Sequence, residues 1–256
     1  MLEIYELLDR LEILNPTDAY FSDLRKTIID KDQFAFFRII QNKTDSQLVE
    51  GLRKLKDDET FCKDSFSRGQ LQSKIWLIHE LESLSLDLGT VFLCAGWYAT
   101  LATMLFESNI KVNKIRSFDI DTDVVKVAEI FNKLWVMDNW RFKAITADIL
   151  DIDYSQHTWS VWSNKNQRMS FPISDTPDTI INTSCEHLDN FAEWYSLIPA
   201  DKLVILQSNN FFEADDHVNC VESLEEFNTQ TPMATVLYEG ELDLGKYKRF
   251  MRIGIK

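Results

Sequence analysis

The sequence predicts an α/β fold: a doubly wound, mostly parallel sheet that closes on a C-terminal antiparallel β-hairpin and follows an N-terminal helical cap. Three observations predict it. The stretch Thr90–Asp121 reads as strand, glycine turn, helix, strand and acid. β-like and helical segments then alternate as far as Phe227. Finally, two alternating runs, Thr235 to Leu242 and Tyr247 to Ile255, are joined by Asp243-Leu244-Gly245-Lys246, the pattern of a hairpin.

Residues 1 to 60 read as three or four short helices. Leu2, Ile4, Leu7, Leu8, Leu11 and Leu14 form an apolar stripe, which Asn15-Pro16-Thr17-Asp18 interrupts. A segment of that size is marginal as an independent domain, so residues 1–64 are expected to cap an α/β domain of residues 65–256. Gln70 to Leu84 forms a helix, and Asp87-Leu88-Gly89 separates it from the first strand. That strand, Val91-Phe92-Leu93-Cys94-Ala95, is apolar and uncharged, the signature of burial on both faces. Gly96 ends it. Apolar residues at helical spacing run from Tyr98 to Glu107, and a second strand, Ile115 to Phe118, stops at Asp119. A helix over Thr122 to Leu134 and a strand over Trp140 to Thr146 complete the next step. Residues 151–177, polar and aromatic, break the rhythm as an insertion, either a hairpin or a lid. The alternation resumes with a strand from Asp178 to Asn182, a helix from His187 to Leu197, a strand from Lys202 to Gln207 and a helix from Val218 to Phe227.

Composition narrows the function. The chain has 256 residues, 45% of them hydrophobic, ample for a folded core. Its formal net charge is −14, and Lys246, Lys248, Arg249 and Arg252 are the only loose basic grouping near the C-terminus. Such a surface repels phosphate backbones, which disfavours nucleic acid and favours a small-molecule or protein partner. The four cysteines show no CxxC and no Cys/His pairing at metal spacing, so no metal centre is predicted and a reducing cytoplasm is the expected setting. The N-terminal stretch has no basic region before a long apolar core, and no window approaches the roughly 18 apolar residues of a membrane span.

Strand, glycine turn, helix, strand and acid make half of a mononucleotide-binding unit, in which the acid accepts hydrogen bonds from ribose hydroxyls. With the further β/α steps and the terminal hairpin, the pattern resembles the class I S-adenosylmethionine-dependent methyltransferases over about residues 65 to 256. More narrowly, VFLCAGWYATLA, RSFDID and INTSCEH are similar to methyltransferase-like proteins of unassigned substrate, some from T4-type phages of marine bacteria. The resemblance implies a Rossmann-like, seven-stranded sheet whose last strand lies antiparallel between the fifth and sixth, and S-adenosyl-L-methionine as cofactor. Ala95, Gly96, Trp97 and Tyr98 would form the loop that approaches its methionine part. Asp119 would hold the ribose hydroxyls, Ile120 would lie against adenine and Asp148 would face the adenine amino group. Asn182 to Glu186 would face the reacting methyl. The sequence also departs from that family. Its first loop usually holds two or three glycines, whereas only Gly96 stands here, and Cys94 replaces the acid that often precedes the first glycine.

Each candidate has a plainer alternative. Asp119, with Asp121 and Asp123, would also suit a solvated helix start, although a strand end in a βαβ unit is where ligands bind. Asp148 competes with Asp151 and Asp153 in the same loop. The densest run is Asn182-Thr183-Ser184-Cys185-Glu186-His187, where Glu186 or His187 could take a proton from an acceptor; the alternative is a helix start capped by Ser184. His157 and His217 carry no assignment. Catalytic roles are therefore expected of Glu186, His187 and Asn182, with Asn182 also near the cofactor. The predicted function is methyl transfer to N or O of an acceptor, and the alternative is a non-catalytic ligand-binding or interaction protein on a degenerate version of the same fold. A nicotinamide enzyme is disfavoured by the absence of GxGxxG after the first strand.

Overall fold

In the computed structural model, residues 47–55, 58, 61–163 and 167–256 are described. Most of the expected helical cap, residues 1–46, lies outside them. The described residues form two compact units. One comprises the residues through Asp87, Gly96–Val112 and Asp121–Ala144; the other comprises Leu88–Ala95, Asn113–Ile120 and Ile145–Lys256.

The sheet has seven strands: β1 (Thr90–Cys94), β2 (Lys114–Asp119), β3 (Phe142–Thr146), β8 (Thr179–Asn182), β9 (Leu203–Asn209), β10 (Thr235–Asp243) and β11 (Lys248–Ile255), with β4 to β7 short strands of the insertion. Their order is β10-β11-β9-β8-β1-β2-β3. β1 pairs in parallel with β2 and β8, β8 pairs in parallel with β9, and β11 runs antiparallel between β9 and β10. This is the predicted topology: a mostly parallel sheet with its last strand inserted antiparallel between the fifth and sixth. Gly89 opens β1 in a left-handed conformation, where an added Cβ would stand 2.3 Å from the Asp178 carboxylate. That carboxylate accepts the Thr90 N–H at 2.7 Å, which fixes where the central strand begins.

The central strands are buried on both faces, and the pleat sends alternate side chains to one core. Phe92 and Cys94 of β1, Phe118 of β2, and Val204 and Leu206 of β9 pack with Trp194 of α6 (Phe191–Leu197) and Phe227 of α7 (Leu224–Gln230). Tyr154 joins them: its hydroxyl donates to the Ile149 carbonyl at 2.8 Å and accepts from Trp194 Nε1 at 2.7 Å.

The insertion is a two-tier hairpin. Its base pairs β4 (His157–Trp159) with β7 (Ile173–Asp175), and its tip pairs β5 (Trp162–Ser163) with β6 (Arg168–Met169). Asp175 fastens the base to β2. It accepts from Arg116 Nε at 2.6 Å and from Trp159 Nε1 at 2.9 Å, and both ions are buried.

The other unit contains α1 (Gln47–Leu55), α2 (Arg68–Leu84), α3 (Thr100–Glu107), α4 (Thr122–Phe131) and α5 (Lys133–Met137). Gly51 of α1 meets the Phe131 ring, which also packs with Phe61 and Phe66. The helix predicted over Thr122 to Leu134 breaks at Asn132. This buried side chain donates to the Ala99 and Ala128 carbonyls and accepts from Thr103 Oγ1.

Two other helix boundaries also move. The helix predicted from His187 begins at Phe191, after a 3-10 turn over Cys185–His187. The helix predicted from Val218 begins at Leu224, capped by Ser223, whose hydroxyl accepts the Glu226 N–H at 3.2 Å. In between, Asn219 N–H donates to the Glu186 carbonyl at 2.8 Å and Val221 N–H to the Asn209 carbonyl at 3.1 Å. Those backbone groups have tertiary partners, so residues 218–221 do not continue a helix.

Candidate functional site

The segments that leave the C-terminal ends of β1, β2, β3 and β8 converge within the sheet-bearing unit. Between them lies a cleft of about 350 Å³, lined by Ala95, Asp119, Ile120, Asp148, His187 and Trp194, with Ala147, Ile149, Leu150, Leu188, Asp189 and Asn190 between these. The carboxyl edge of a parallel sheet is where α/β proteins bind ligands, and the volume lies in the usual small-molecule range of roughly 300–1,000 Å³.

Of the predicted residues, Ala95, Asp119, Ile120, Asp148 and His187 line this cleft. Asp119 ends β2, and its backbone carbonyl accepts the Ala147 N–H at 3.0 Å, tying the two strand ends together. Ile120 is 73% exposed, an apolar side chain held against the opening. Asp148 accepts the Leu150 N–H at 2.9 Å through Oδ1 and so caps the 3-10 turn that follows.

Ala95 leads into the glycine-poor loop, and the backbone there is unusual. Ala95, Trp97 and Ala99 all adopt left-handed φ, at 49°, 48° and 48°, while Gly96 does not. Each costs about 1–2 kcal/mol for an L-residue. The chain thus bears glycine-type conformations on residues that carry side chains. Gly96, Trp97 and Tyr98 belong to the helical unit. There the Tyr98 hydroxyl accepts the Cys62 N–H at 3.1 Å, its ring stacks on Phe61 at 5.3 Å, and Trp97 stacks on Tyr98.

Cys94 is buried, with Sγ 3.5 Å from the Tyr154 hydroxyl, and burial pushes its thiol up to about 12. Burial likewise raises the Cys185 thiol well above its ordinary value. Neither is a thiolate at neutral pH.

The Asn182–His187 run divides. Asn182 is fully buried and accepts the Ser184 N–H at 2.8 Å, forming the turn after β8, while its Nδ2 has no partner. Ser184, expected to cap through its side chain, makes no such bond. Glu186 is buried beside Arg249: Oε1 accepts from Arg249 Nη2 at 2.9 Å and from Asn209 Nδ2 at 2.7 Å. Arg249 also donates to the Thr183 carbonyl. His187 is exposed, with Nδ1 3.0 Å from the Asp216 carbonyl. Leu188, Asp189, Asn190, Trp194 and Arg249 went unread in the sequence. The first four only continue past a motif, and Arg249 gave no signal beyond its place among loosely grouped bases.

No protein-family model matches the chain, and no curated protein sequence matches it. Solved structures do. The chain is similar to the N-methyltransferase NodS from Bradyrhizobium japonicum WM9 in complex with S-adenosyl-L-homocysteine, at 10% identity and a TM-score of 0.53 over 83% of this chain and 99% of that one. It is also similar to magnesium protoporphyrin IX methyltransferase (ChlM) from Synechocystis PCC 6803 with bound S-adenosylmethionine, at 10% identity and 0.50 over 84% and 99%. A third is the small RNA methyltransferase HEN1, at 13% identity and 0.52 over 78% and 27%. The chain has the class I methyltransferase fold. One of these neighbours is named for magnesium protoporphyrin IX and another for small RNA, so the fold carries no information about which acceptor is used. Among the described residues, no helix is long and apolar enough to cross a membrane.

Proposed function

We propose that the chain is an S-adenosylmethionine-dependent methyltransferase that moves a methyl group to N or O of an acceptor, with the cofactor held in the cleft described above. The observation that carries this reading is the convergence of Ala95, Asp119, Ile120 and Asp148, from the ends of β1, β2 and β3, on one small cleft. The donor set suits the group. Asp119 would accept from ribose hydroxyls, Ile120 offers an apolar surface to the adenine face, and Asp148 would accept from its amino group. The two carboxylates also favour a ligand that bears a sulfonium. When bound, the cofactor supplies an already activated methyl, so the protein's main tasks are to position the acceptor and exclude water. Of the three residues predicted to act on the acceptor, His187 lines the cleft, whereas Glu186 is held by Arg249 and Asn182 is buried in its turn. We therefore place His187 on the acceptor side.

The alternative, a non-catalytic binding protein on the same fold, draws on that engagement of Glu186, whose Oε1 is taken up by Arg249 and Asn209. Calorimetric titration with S-adenosylmethionine and S-adenosylhomocysteine, with NAD as control, tests the cofactor. Saturable binding of both adenosyl compounds is expected, with Asp119→Ala weakening it at least about 10-fold while the melting temperature holds, the loss of a bond to a charged acceptor being worth about 1.5–3 kcal/mol. Absence of heat and of thermal shift at millimolar levels would overturn the methyltransferase reading.

A further inference from the structure

Where His187 lines the cleft, three metal-capable side chains come together. Glu186, His187 and His217 each present a ligand atom, and these atoms all lie within 4.8 Å of one another. The two imidazoles meet edge to face, with centroids 4.7 Å apart. The cluster belongs wholly to the sheet-bearing unit.

The hydrogen bonds at the two histidines leave Nε2 of each ring as the atom able to bind a metal. Each histidine points Nδ1 at a backbone carbonyl: His187 at Asp216 O, 3.0 Å away, and His217 at Phe211 O, 2.9 Å away. A carbonyl only accepts, so in both neutral rings the proton sits on Nδ1 and the lone pair on Nε2. This outer-shell contact typically fixes the tautomer and orientation of a metal-binding histidine. Cys220 Sγ stands 3.6 Å from His217 Nδ1, on the side of the ring already committed to Phe211, and is not counted as a donor. Glu186 supplies the second, independent sign. Arg249 and Asn209 occupy Oε1, while Oε2 is buried without a partner in a residue only 1% exposed. A buried carboxylate oxygen left unpaired is costly, and a cation would satisfy it.

The frame is firm as well. Asn219 donates from its backbone to the Glu186 carbonyl at 2.8 Å and from Nδ2 to the Cys185 carbonyl at 3.0 Å. The loop that bears His217 is thereby latched to the turn that bears Glu186 and His187.

We propose that Glu186, His187 and His217 form a binding site for a first-row divalent transition-metal ion. Two imidazole nitrogens and one carboxylate oxygen favour zinc, manganese or iron over magnesium or calcium, which take oxygen donors. Donors about 2.1 Å from a tetrahedral ion stand roughly 3.4 Å apart. The widest pair therefore has to close by at most about 1.4 Å. Three protein donors leave a coordination position open, and His187 belongs to both the metal set and the cleft. With metal bound, His187 is a ligand rather than a proton acceptor.

The inference does not rest on the cofactor assignment, and one set of titrations separates the two. The full chain, stripped with chelator, is titrated with Zn²⁺ in competition with a chromophoric chelator, and with Mn²⁺ followed by electron paramagnetic resonance. Mn²⁺ disfavours thiolates and so keeps the cysteines out of the reading. One equivalent of each ion should bind. His217→Ala and His187→Ala should each lower the affinity at least about 100-fold, and His217→Ala should keep its affinity for S-adenosylhomocysteine. Conversely, Asp119→Ala should retain the metal. The histidine variants are preferred to Glu186→Gln, which would disturb the buried Arg249 and could unfold the turn. Two results would overturn the site: no stoichiometric binding of either ion to the wild-type chain, or affinities in both histidine variants within about threefold of wild type.

Discussion

Ala95, Trp97 and Ala99 show at the level of single residues how far a side-chain pattern can diverge from the backbone it accompanies. A loop with one glycine reads as a loop that has lost its turn. Yet three consecutive odd-numbered positions keep left-handed φ, and the lone glycine is not one of them. Strain of this sort is tolerated only where the surroundings over-determine the conformation, and it clusters at ligand sites. The cost is measurable. Ala95→Gly should stabilise the fold by about 0.5–1 kcal/mol, the relief of left-handed strain less the extra backbone entropy of glycine. Urea unfolding measures it, and a destabilised Ala95→Gly would show that Ala95 does not bear the strain assigned to it. Asp119, Ile120 and Asp148 were readable in the sequence because a strand's end is marked where an apolar run stops. His217 was not, since thirty residues separate it from His187 and only the folded loop brings the rings together.

The elements follow the same division between local and distant causes. Apolar runs and their breaks located the central strands β1, β8 and β9, which are buried on both faces, while alternation located the charged outer pair β10 and β11. The helix starts at 187 and 218 were misplaced: the N–H groups of His187 and Leu188 close a local 3-10 turn onto Ser184 and Cys185, while those of Asn219 and Val221 go to the distant carbonyls of Glu186 and Asn209, which local periodicity does not register. The insertion over residues 151–177 was legible as a break and, in one of its two readings, as a hairpin, but its two tiers were not. Its fastening, Asp175, pairs with Arg116 fifty-nine positions away. Burial alone would raise the Asp175 carboxyl, but hydrogen bonding and charge from Arg116, helped by Trp159 and Lys114, outweigh it and lower it. A folded-state value below the unfolded one means the unfolded chain binds the proton more readily. The stabilisation is thus complete above the ordinary aspartate range and lost as pH falls through and below it. Acid titration followed by tryptophan fluorescence should show the Trp159 environment loosening below about pH 4. Asp175→Asn should destabilise by about 3–5 kcal/mol, because it leaves the Arg116 charge buried and unpaired; a loss below about 1 kcal/mol would show that the pair does not hold the hairpin.

For the molecule as a whole, one side chain draws distant parts of the chain into register. Arg249, on the inserted strand β11, reaches the Thr183 carbonyl and the Glu186 carboxylate after β8, and Asn209 at the end of β9 shares that carboxylate. Three strands and the turn that carries the candidate acceptor side thereby depend on a single buried charge. Arg249→Met should cost about 3–5 kcal/mol, the penalty of an orphaned buried carboxylate. It should also weaken metal binding, measured by the same chelator competition, because the turn that carries two of the three donors loses its brace. If stability and metal affinity were both unchanged, Glu186 would not depend on Arg249 for its placement.

That brace also sets an order in time. Glu186 leaves the ribosome sixty-three residues before Arg249, so while those residues are being made the nascent chain carries its acidic turn without the guanidinium that will neutralise it. The β/α steps before it can condense as they emerge, but the site can close only when β11 slides between two strands already synthesised. The turn that carries Glu186 therefore waits on β11, and a chain lacking that strand would hold most of the sheet with the Glu186 carboxylate uncompensated.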